Sequence, residues 1–292
     1  MSDGATAGAL GAAPTMYFHR DERPASVPLW LESMALLEWM FLRASGVYYG
    51  CGVRRGDGSP VVVVPGFLGT DSYLFDLHWW LWRIGYRSYL SRIGQNAECL
   101  DILLERLRQT IDTAQQECGG KVHLIGHSLG GLLSRAAAAR WPERVASVAA
   151  LGSPFRGLNS HPLVMRMADQ IRTRIRSARA GSVQPDCFTG YCDCDAVRAL
   201  QSAPPPSVPR IAIYTRTDGV TDWRFCIDGD PDTDFEVGGT HVGLVFNAEV
   251  YRVLAAHLAA VDREAKAAAA PSSAAASEPG ALDSAPRRRQ RR

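Results

Sequence analysis

A serine flanked by two glycines occurs at residues 126–130, which read Gly-His-Ser-Leu-Gly. An apolar run, Val122 to Ile125, precedes this pentapeptide, and a helix-forming run, Leu132 to Ala139, follows it. Such a serine at a strand-to-helix turn is the nucleophile-elbow pattern, in which a sharp turn holds the hydroxyl above the sheet. Both glycines are needed because strand and helix approach too closely for side chains. The pattern predicts that Ser128 acts as a covalent nucleophile.

A serine hydroxyl is a poor nucleophile at neutral pH, so Ser128 needs an imidazole that accepts its proton. His241 lies in a glycine-rich loop, residues 238–244, from which its ring can reach the serine. In this architecture the acid and the histidine follow the serine along the chain, which argues against His19, His78 and His123. We assign the base to His241, and His257 in the last predicted helix is the rival.

The carboxylate that orients the imidazole should lie between serine and histidine, on a loop just after a strand. Asp218 is the first acidic residue after the predicted strand Ile211 to Thr215, and Gly219 permits a sharp turn beside it. Asp222, four residues later, is the rival and would serve equally well as a turn residue. We assign the acid to Asp218.

A tetrahedral intermediate carries negative charge on the former carbonyl oxygen, and two backbone N–H groups must face that oxygen. One should belong to Leu129, directly after the nucleophile. The other should come from the turn at residues 65–69, after an early buried strand, with Phe67 as the expected donor. These two N–H groups form the predicted oxyanion hole.

The elements around these residues alternate between strand and helix, which indicates an α/β fold with a mostly parallel, doubly wound sheet flanked by helices. The first predicted helix begins near Asp71, which we expect to be its N-cap. The later predicted helices cover Asn96–Cys118, Leu132–Trp141, Leu163–Arg179 and Asn247–Val261. The predicted strands are Val61–Val64, Arg87–Leu90, Val122–Ile125, Val145–Leu151 and Ile211–Thr215, with shorter candidates at Phe225–Ile227 and Phe235–Val237.

Over residues 58–262 the chain resembles the α/β-hydrolases. The resemblance lies in four features that occur in the expected order: Gly66-Phe67, the pentapeptide at 126–130, Asp218 and His241. Among them it looks most like the small bacterial serine lipases and esterases, although Pro65 stands where these often have histidine. The resemblance implies the α/β-hydrolase fold, a small-molecule or lipid ester of a carboxylic acid as substrate, an acyl-Ser128 intermediate and no metal or organic cofactor. Two alternatives stay open: an acyltransferase with the same triad, and a protein that mainly binds lipid or a partner.

The chain divides into three parts by composition. Residues 1–57 form an N-terminal segment with one apolar helix, and residues 58–262 form the predicted catalytic domain. Within that domain, residues 156–208 interrupt the alternation, and a long interruption in such a fold predicts a cap or lid over the site. Residues 263–292 are rich in alanine, serine and proline, which predicts a disordered tail with a basic end.

Leu29 to Leu42 is the most apolar stretch of the N-terminal segment. It is too short to span a bilayer, and Glu32 and Glu38 interrupt it. We favour a helix packed on the domain. A peripheral membrane contact through this segment is the alternative, because its tryptophans suit a lipid surface.

Charge and cysteine usage restrict the partners and the compartment. The net charge of +2 arises from residues 264–292, where six basic residues stand against three acidic ones, so the rest of the chain is close to −1. Such a body argues against nucleic-acid binding. Seven cysteines and a start that lacks the features of a secretory signal predict a cytoplasmic protein. For the late cluster Cys187, Cys192, Cys194 and Cys226, disulfides or thiols are favoured over zinc.

Overall fold

The fold is built on a parallel sheet with helices on both faces. The computed structural model describes residues 27–157, 160–178, 194–202 and 204–269. In these residues the strands pair in the order β2-β1-β3-β4-β5-β6, and every pair is parallel. The strands are β1 (Pro60–Val64), β2 (Arg87–Leu90), β3 (Val122–His127), β4 (Val145–Leu151), β5 (Arg210–Tyr214) and β6 (Asp234–Glu236). The helices are α1 (Ala35–Ala44), α2 (Phe75–Arg83), α3 (Leu100–Cys118), α4 (Leu129–Arg140), α5 (Pro162–Ala178), α6 (Asp195–Gln201) and α7 (Ala248–Ala269).

The valine run of β1 explains the two layers of helices. Successive strand residues point to opposite faces of a sheet. Val61 and Val63 pack in the core shared with α2 and α7, whereas Val62 and Val64 pack in the core shared with α3 and α4. All four are fully buried, as expected of a strand covered on both faces. This arrangement confirms the predicted doubly wound α/β architecture.

The parallel strands bring their carboxyl ends to one edge of the sheet, and the predicted site residues all follow such ends. Phe67 comes after β1, Ser128 after β3, Asp218 after β5 and His241 after β6. Ligands in open α/β sheets bind at this edge. Four loops separated in sequence therefore meet at one place.

The N-terminal segment packs against the domain on one side only. Residues Leu29–Met34 form a 3₁₀ turn that leads into α1, and Ala35 and Leu42 are buried. The opposite side exposes Trp30, Leu36 and Phe41 by 65% or more. The favoured packed helix is confirmed, and the peripheral membrane contact of this segment stays a prediction. Among the described residues, no helix is both long and apolar enough to cross a membrane.

The predicted cap, residues 156–208, divides into unlike parts. Helix α5 lies over the carboxyl edge of the sheet, where Ala168 is buried. Helix α6 instead packs beside α3 and α4, with Ala196 in their shared core and its N–H bound to Asp101 Oδ1 at 2.8 Å. This end of the segment belongs to the helical layer rather than to a lid. Residues 158–159, 179–193 and 203, with Cys187 and Cys192, lie outside the described residues.

Three local predictions were wrong. Residues Phe225–Ile227 do not form a strand, because Asp222 Oδ1 accepts from the Arg224 N–H at 3.0 Å and begins a 3₁₀ turn. Asp71 does not cap α2: its carboxylate binds the N–H groups of Ser91 and Arg92.

The third concerns the tail, which was expected to be disordered from residue 263. Helix α7 continues to Ala269, since alanine has the highest helix propensity. Lys266 also pairs with Asp57 at 2.5 Å. Residues 270–292 lie outside the described residues.

Candidate active site

Ser128 occupies a strained turn between β3 and α4. Its φ of 52° and ψ of −121° are rare for a residue with a side chain. A Cβ on Gly126 would lie 2.3 Å from the Gly130 oxygen, and a Cβ on Gly130 would lie 2.2 Å from the Val64 oxygen. Both positions therefore require glycine, as the pentapeptide predicts. Ser128 is held by its N–H, which donates to the Leu151 oxygen at 2.8 Å.

Asp218 and His241 form a buried hydrogen-bonded pair. Asp218 Oδ2 lies 2.6 Å from His241 Nδ1, and both side chains are at most 4% exposed. The carboxylate also accepts from the N–H groups of Val220 (2.8 Å) and Thr221 (2.7 Å) and from the Thr221 hydroxyl (2.9 Å). This set of donors fixes the Asp218 carboxylate, so the carboxylate can orient the imidazole.

The charges of this pair stabilise each other. Burial favours the neutral form of Asp218, but His241 and the donated hydrogen bonds outweigh it, and the pKa of Asp218 is lowered. Burial likewise disfavours the imidazolium of His241, but the Asp218 carboxylate outweighs it and raises the pKa of His241. A base of this kind accepts a proton more readily than a free imidazole does.

His127, the residue before Ser128, contacts His241 from the side. Its Nε2 lies 2.9 Å from the His241 carbonyl oxygen, and since that oxygen only accepts, Nε2 carries the hydrogen. The two rings are 4.8 Å apart. Burial lowers the pKa of His127 to about 3, so this ring is neutral. Nothing in the sequence indicated this role beyond the position of His127 inside the turn.

The N–H groups of Phe67 and Leu129 face no acceptor in the described part of the chain. Leu129 begins α4, so its N–H has no partner within the helix. The turn that carries Phe67 is anchored by Asn96, whose side-chain nitrogen donates to the Pro65 oxygen at 2.7 Å and whose carbonyl accepts from Leu68. These features leave two unpaired donors beside Ser128. Sequence reasoning missed this role of Asn96, because it placed Asn96 at the start of a predicted helix, whereas α3 begins at Leu100.

The two rival residues are engaged elsewhere. Asp222 caps the 3₁₀ turn at Trp223–Phe225 and pairs with Arg224 at 3.1 Å. His257 lies in α7, where burial lowers its pKa to about 4. Neither residue contacts the Asp218–His241 pair through a hydrogen bond in the described residues.

A small cavity of about 70 Å³ opens at Ser128. Helix α5 contributes one wall through Val164, Ala168 and Arg172, and the Arg172 guanidinium lies 5.8 Å from the centre of the Phe67 ring. Burial lowers the pKa of Arg172. Met165 also belongs to α5, and the rest of the lining comes from the elbow and from the loops after β1, β4 and β5: Phe67, Ser128, Leu129, Leu132, Pro154, Ser160, Val220 and Thr221.

Two acidic residues of the N-terminal segment reach this site, and sequence reasoning missed both. Glu32 accepts from the N–H groups of Gly219 and Val242, each at 2.8 Å. Glu38 accepts from the N–H of Thr240 at 2.8 Å. In the sequence these residues stood out only as charges within an apolar stretch, which was weighed as evidence against a membrane span.

One cysteine of the late cluster, Cys226, lies beside the site. Cys226 is buried, and its Sγ lies 3.7 Å from the Thr221 hydroxyl. Within the residues that the structure describes, no three His, Cys, Asp or Glu side chains are grouped to hold a metal ion.

Comparison with known proteins supports the architecture. A family model described as the alpha/beta hydrolase fold matches residues 110–179, which include the elbow. A triacylglycerol lipase of Pseudarthrobacter phenanthrenivorans is 34% identical over 114 residues, covering 34% of this chain and 34% of that protein. The chain thus matches about a third of the length of the curated relatives it resembles.

Two solved structures share the fold at low identity. One belongs to a study of the metagenome-derived lipolytic enzymes LipS and LipT, with a TM-score of 0.50 and 17% identity over 72% of this chain and 96% of that one. The other is DcsB with a substrate analogue, with a TM-score of 0.51 and 15% identity over 73% and 92% of the two chains. The chain has the α/β-hydrolase fold and resembles bacterial lipases and esterases.

Proposed function

We propose that this chain, with its α/β-hydrolase fold, is a serine esterase or lipase that cleaves carboxylic esters through an acyl-Ser128 intermediate. One observation carries the proposal: Ser128, whose φ is 52°, lines the same cavity as Thr221, and the Thr221 hydroxyl donates to the Asp218 carboxylate that binds His241 at 2.6 Å. A strained serine next to a buried acid–base pair is the arrangement that acyl transfer by serine requires. The resemblance to bacterial lipases and esterases supports the same reaction.

In this proposal each residue has a defined task. Ser128 Oγ attacks the ester carbonyl carbon while its proton passes to His241 Nε2, and the N–H groups of Phe67 and Leu129 bind the resulting oxyanion. His241 then gives the proton to the departing alcohol, and the acyl group stays on Ser128. Water attacks this acyl-enzyme, again losing a proton to His241, and the carboxylic acid leaves with Ser128 restored. Asp218 keeps Nδ1 protonated throughout.

The test is labelling of Ser128 by a fluorophosphonate together with hydrolysis of p-nitrophenyl esters. Ser128→Ala should lose the label and lower the rate of hydrolysis by about 10³-fold or more. Ser202→Ala, at an exposed residue of the described chain, is the matched control and should retain both. Hydrolysis that survives in Ser128→Ala would remove this residue as nucleophile.

Two further outcomes separate the alternatives. Folded wild-type protein that takes no label would overturn the enzyme assignment in favour of a binding protein. Adding alcohol acceptors and measuring the ratio of new ester to free acid decides between water and an alcohol as acyl acceptor; a large excess of ester would favour an acyltransferase over a hydrolase.

A further inference from the structure

The carboxylate of Glu32 lies between the loops that carry Asp218 and His241. Its Oε1 accepts from the N–H of Gly219 at 2.8 Å and from the N–H of His241 at 3.2 Å. Its Oε2 accepts from the N–H of Val242 at 2.8 Å. Hydrogen bonds to a charged acceptor are stronger than neutral ones. One side chain of the N-terminal segment therefore links two loops that lie 187 and 210 residues further along the chain.

Glu38, six residues further on, binds the same histidine loop. Its Oε1 accepts from the Thr240 N–H at 2.8 Å, and its Oε2 accepts from the Thr240 hydroxyl at 2.7 Å. A Cβ on Gly243 would lie 1.4 Å from Glu38 Oε2, and one on Gly239 would lie 2.6 Å from Glu38 Oε1. The glycines of this loop thus leave the space that the Glu38 carboxylate fills.

We propose that Glu32 is a positioning residue for the acid–base pair: its carboxylate holds the Asp218 loop and the His241 loop in register, so that Asp218 and His241 stay aligned on Ser128. The inference rests on the proposed function of these three residues. Within the described residues, the hydrogen-bond partners of the Glu32 carboxylate are the backbone N–H groups of Gly219, His241 and Val242, so Glu32 acts through Asp218 and His241 rather than on the substrate. The N-terminal segment is then part of the active site.

Several groups around His241 bear on its charge. Asp218 contacts Nδ1, Glu32 lies below the backbone of His241, and the ring of His127 packs alongside. His127 is neutral because burial lowers its pKa to about 3, and the nearby Cys226 stays a neutral thiol because burial raises its pKa. After Asp218, Glu32 is the further carboxylate that raises the pKa of His241.

The charge of Glu32 gives a measurable effect, on the pH dependence of kcat/KM, that a purely structural role of this residue would not have. The base must be neutral to accept the proton from Ser128, so kcat/KM falls as pH drops through the pKa of His241. Removing the negative charge of Glu32 lowers that pKa. In Glu32→Gln the acid limb of kcat/KM should therefore move to lower pH, and the imidazole titration of His241 followed by NMR should move in the same direction.

The kinetic effect should fall on kcat. Loosened loops misplace the imidazole, and such misplacement costs about 10- to 100-fold in rate. KM should change by less than about twofold, because Glu32 does not line the cavity at Ser128. Glu32→Asp keeps the charge but shortens the reach, so kcat should fall with a smaller shift of the acid limb.

Two further variants serve as comparisons. Glu38→Gln loosens the same loop without removing a charge that raises the pKa of His241, so kcat should fall with the acid limb unmoved. Glu143→Gln alters an exposed residue just before β4, at the opposite edge of the sheet, and should match the wild type in both measurements.

The outcomes separate this inference from the proposed function. If wild-type protein hydrolyses esters but Glu32→Gln keeps its kcat and its His241 titration, the positioning role is overturned. If wild-type protein hydrolyses no ester, the proposed function fails, and the NMR titration still decides whether Glu32 acts on His241. If neither Glu32→Gln nor Glu32→Asp folds, Glu32 serves global stability and the positioning role is also overturned.

Discussion

The proposed nucleophile and the proposed acid–base pair are held in place by different means. Ser128 stands in one continuous stretch, from β3 into α4, whose glycines contact each other and the neighbouring strand β1. Asp218 and His241 stand on two loops, and side chains from the N-terminal segment bind both loops. The turn at Ser128 is therefore part of the sheet core. The positions of Asp218 and His241 depend instead on a few hydrogen bonds at the surface of that core.

This difference predicts how substitutions in the elbow and in the two loops affect stability and activity. A change in the elbow disturbs backbone packing at the centre of the fold, so it should affect stability and activity together. A change in the loops or in Glu32 and Glu38 leaves the sheet intact, so it should affect activity more than stability. The following substitutions test this distinction, from the largest expected effect to the smallest.

Gly130→Ala should unfold or strongly destabilise the protein. The added Cβ would lie 2.2 Å from the Val64 oxygen and 2.5 Å from the Pro65 oxygen, and backbone atoms cannot move aside as a side chain can. We expect the free energy of unfolding to fall by about 3 kcal/mol or more, with activity lost as well. Urea denaturation followed by circular dichroism measures this free energy of unfolding. A stable and active variant would contradict the tight packing of the elbow.

Asp218→Asn should leave the fold intact while kcat for ester hydrolysis falls by about 10³- to 10⁴-fold. The amide lacks the charge that stabilises imidazolium, and it can hold His241 in the wrong tautomer. Steady-state kinetics with a p-nitrophenyl ester measures the change. Asp222→Asn is the control, because Asp222 caps a 3₁₀ turn and pairs with Arg224, and the kcat of this variant should change by less than about threefold. Equal losses in both variants would reopen the choice of acid.

Gly243→Ala should reduce kcat by about tenfold with a loss of stability below about 1 kcal/mol. The new methyl group takes the place of Glu38 Oε2, so Glu38 must leave the histidine loop. Gly238→Ala is the matched control, since nothing lies within 4 Å of a Cβ there. Kinetics and thermal unfolding of the two variants give the comparison. If Gly243→Ala lost stability as Gly130→Ala does, the elbow and the two loops would not differ as described.

The sequence predicted the sheet well because buried parallel strands have a simple signature. The valine run of β1 and the apolar runs of β3 and β4 were each located to within a few residues. Phe225–Ile227 has a similar apolar character, but the Asp222 cap turns the chain there. A local hydrogen bond overrode the apolar pattern in a segment too short to show a period.

The assignment of site residues depended on order along the chain; the structure joins Asp218 and His241 by a hydrogen bond, and their catalytic roles stay a prediction. Order carries no information on residues that act from another part of the chain. Glu32 and Glu38 lie before the first strand, and their carboxylates were weighed only as charges that oppose a membrane span. Helix α6 was likewise placed in a cap by sequence position, whereas it packs beside α3 and α4.

By itself, the sequence determined the alternating α/β architecture and the strained turn at Ser128, because both follow from local patterns of valine, glycine and helix-forming residues. Only the tertiary structure decided that Asp218 rather than Asp222 meets His241, and that Glu32 and Glu38 bind their loops. The reason is physical: a turn is set by the steric needs of adjacent residues, whereas a hydrogen bond between distant loops depends on how the whole sheet brings them together.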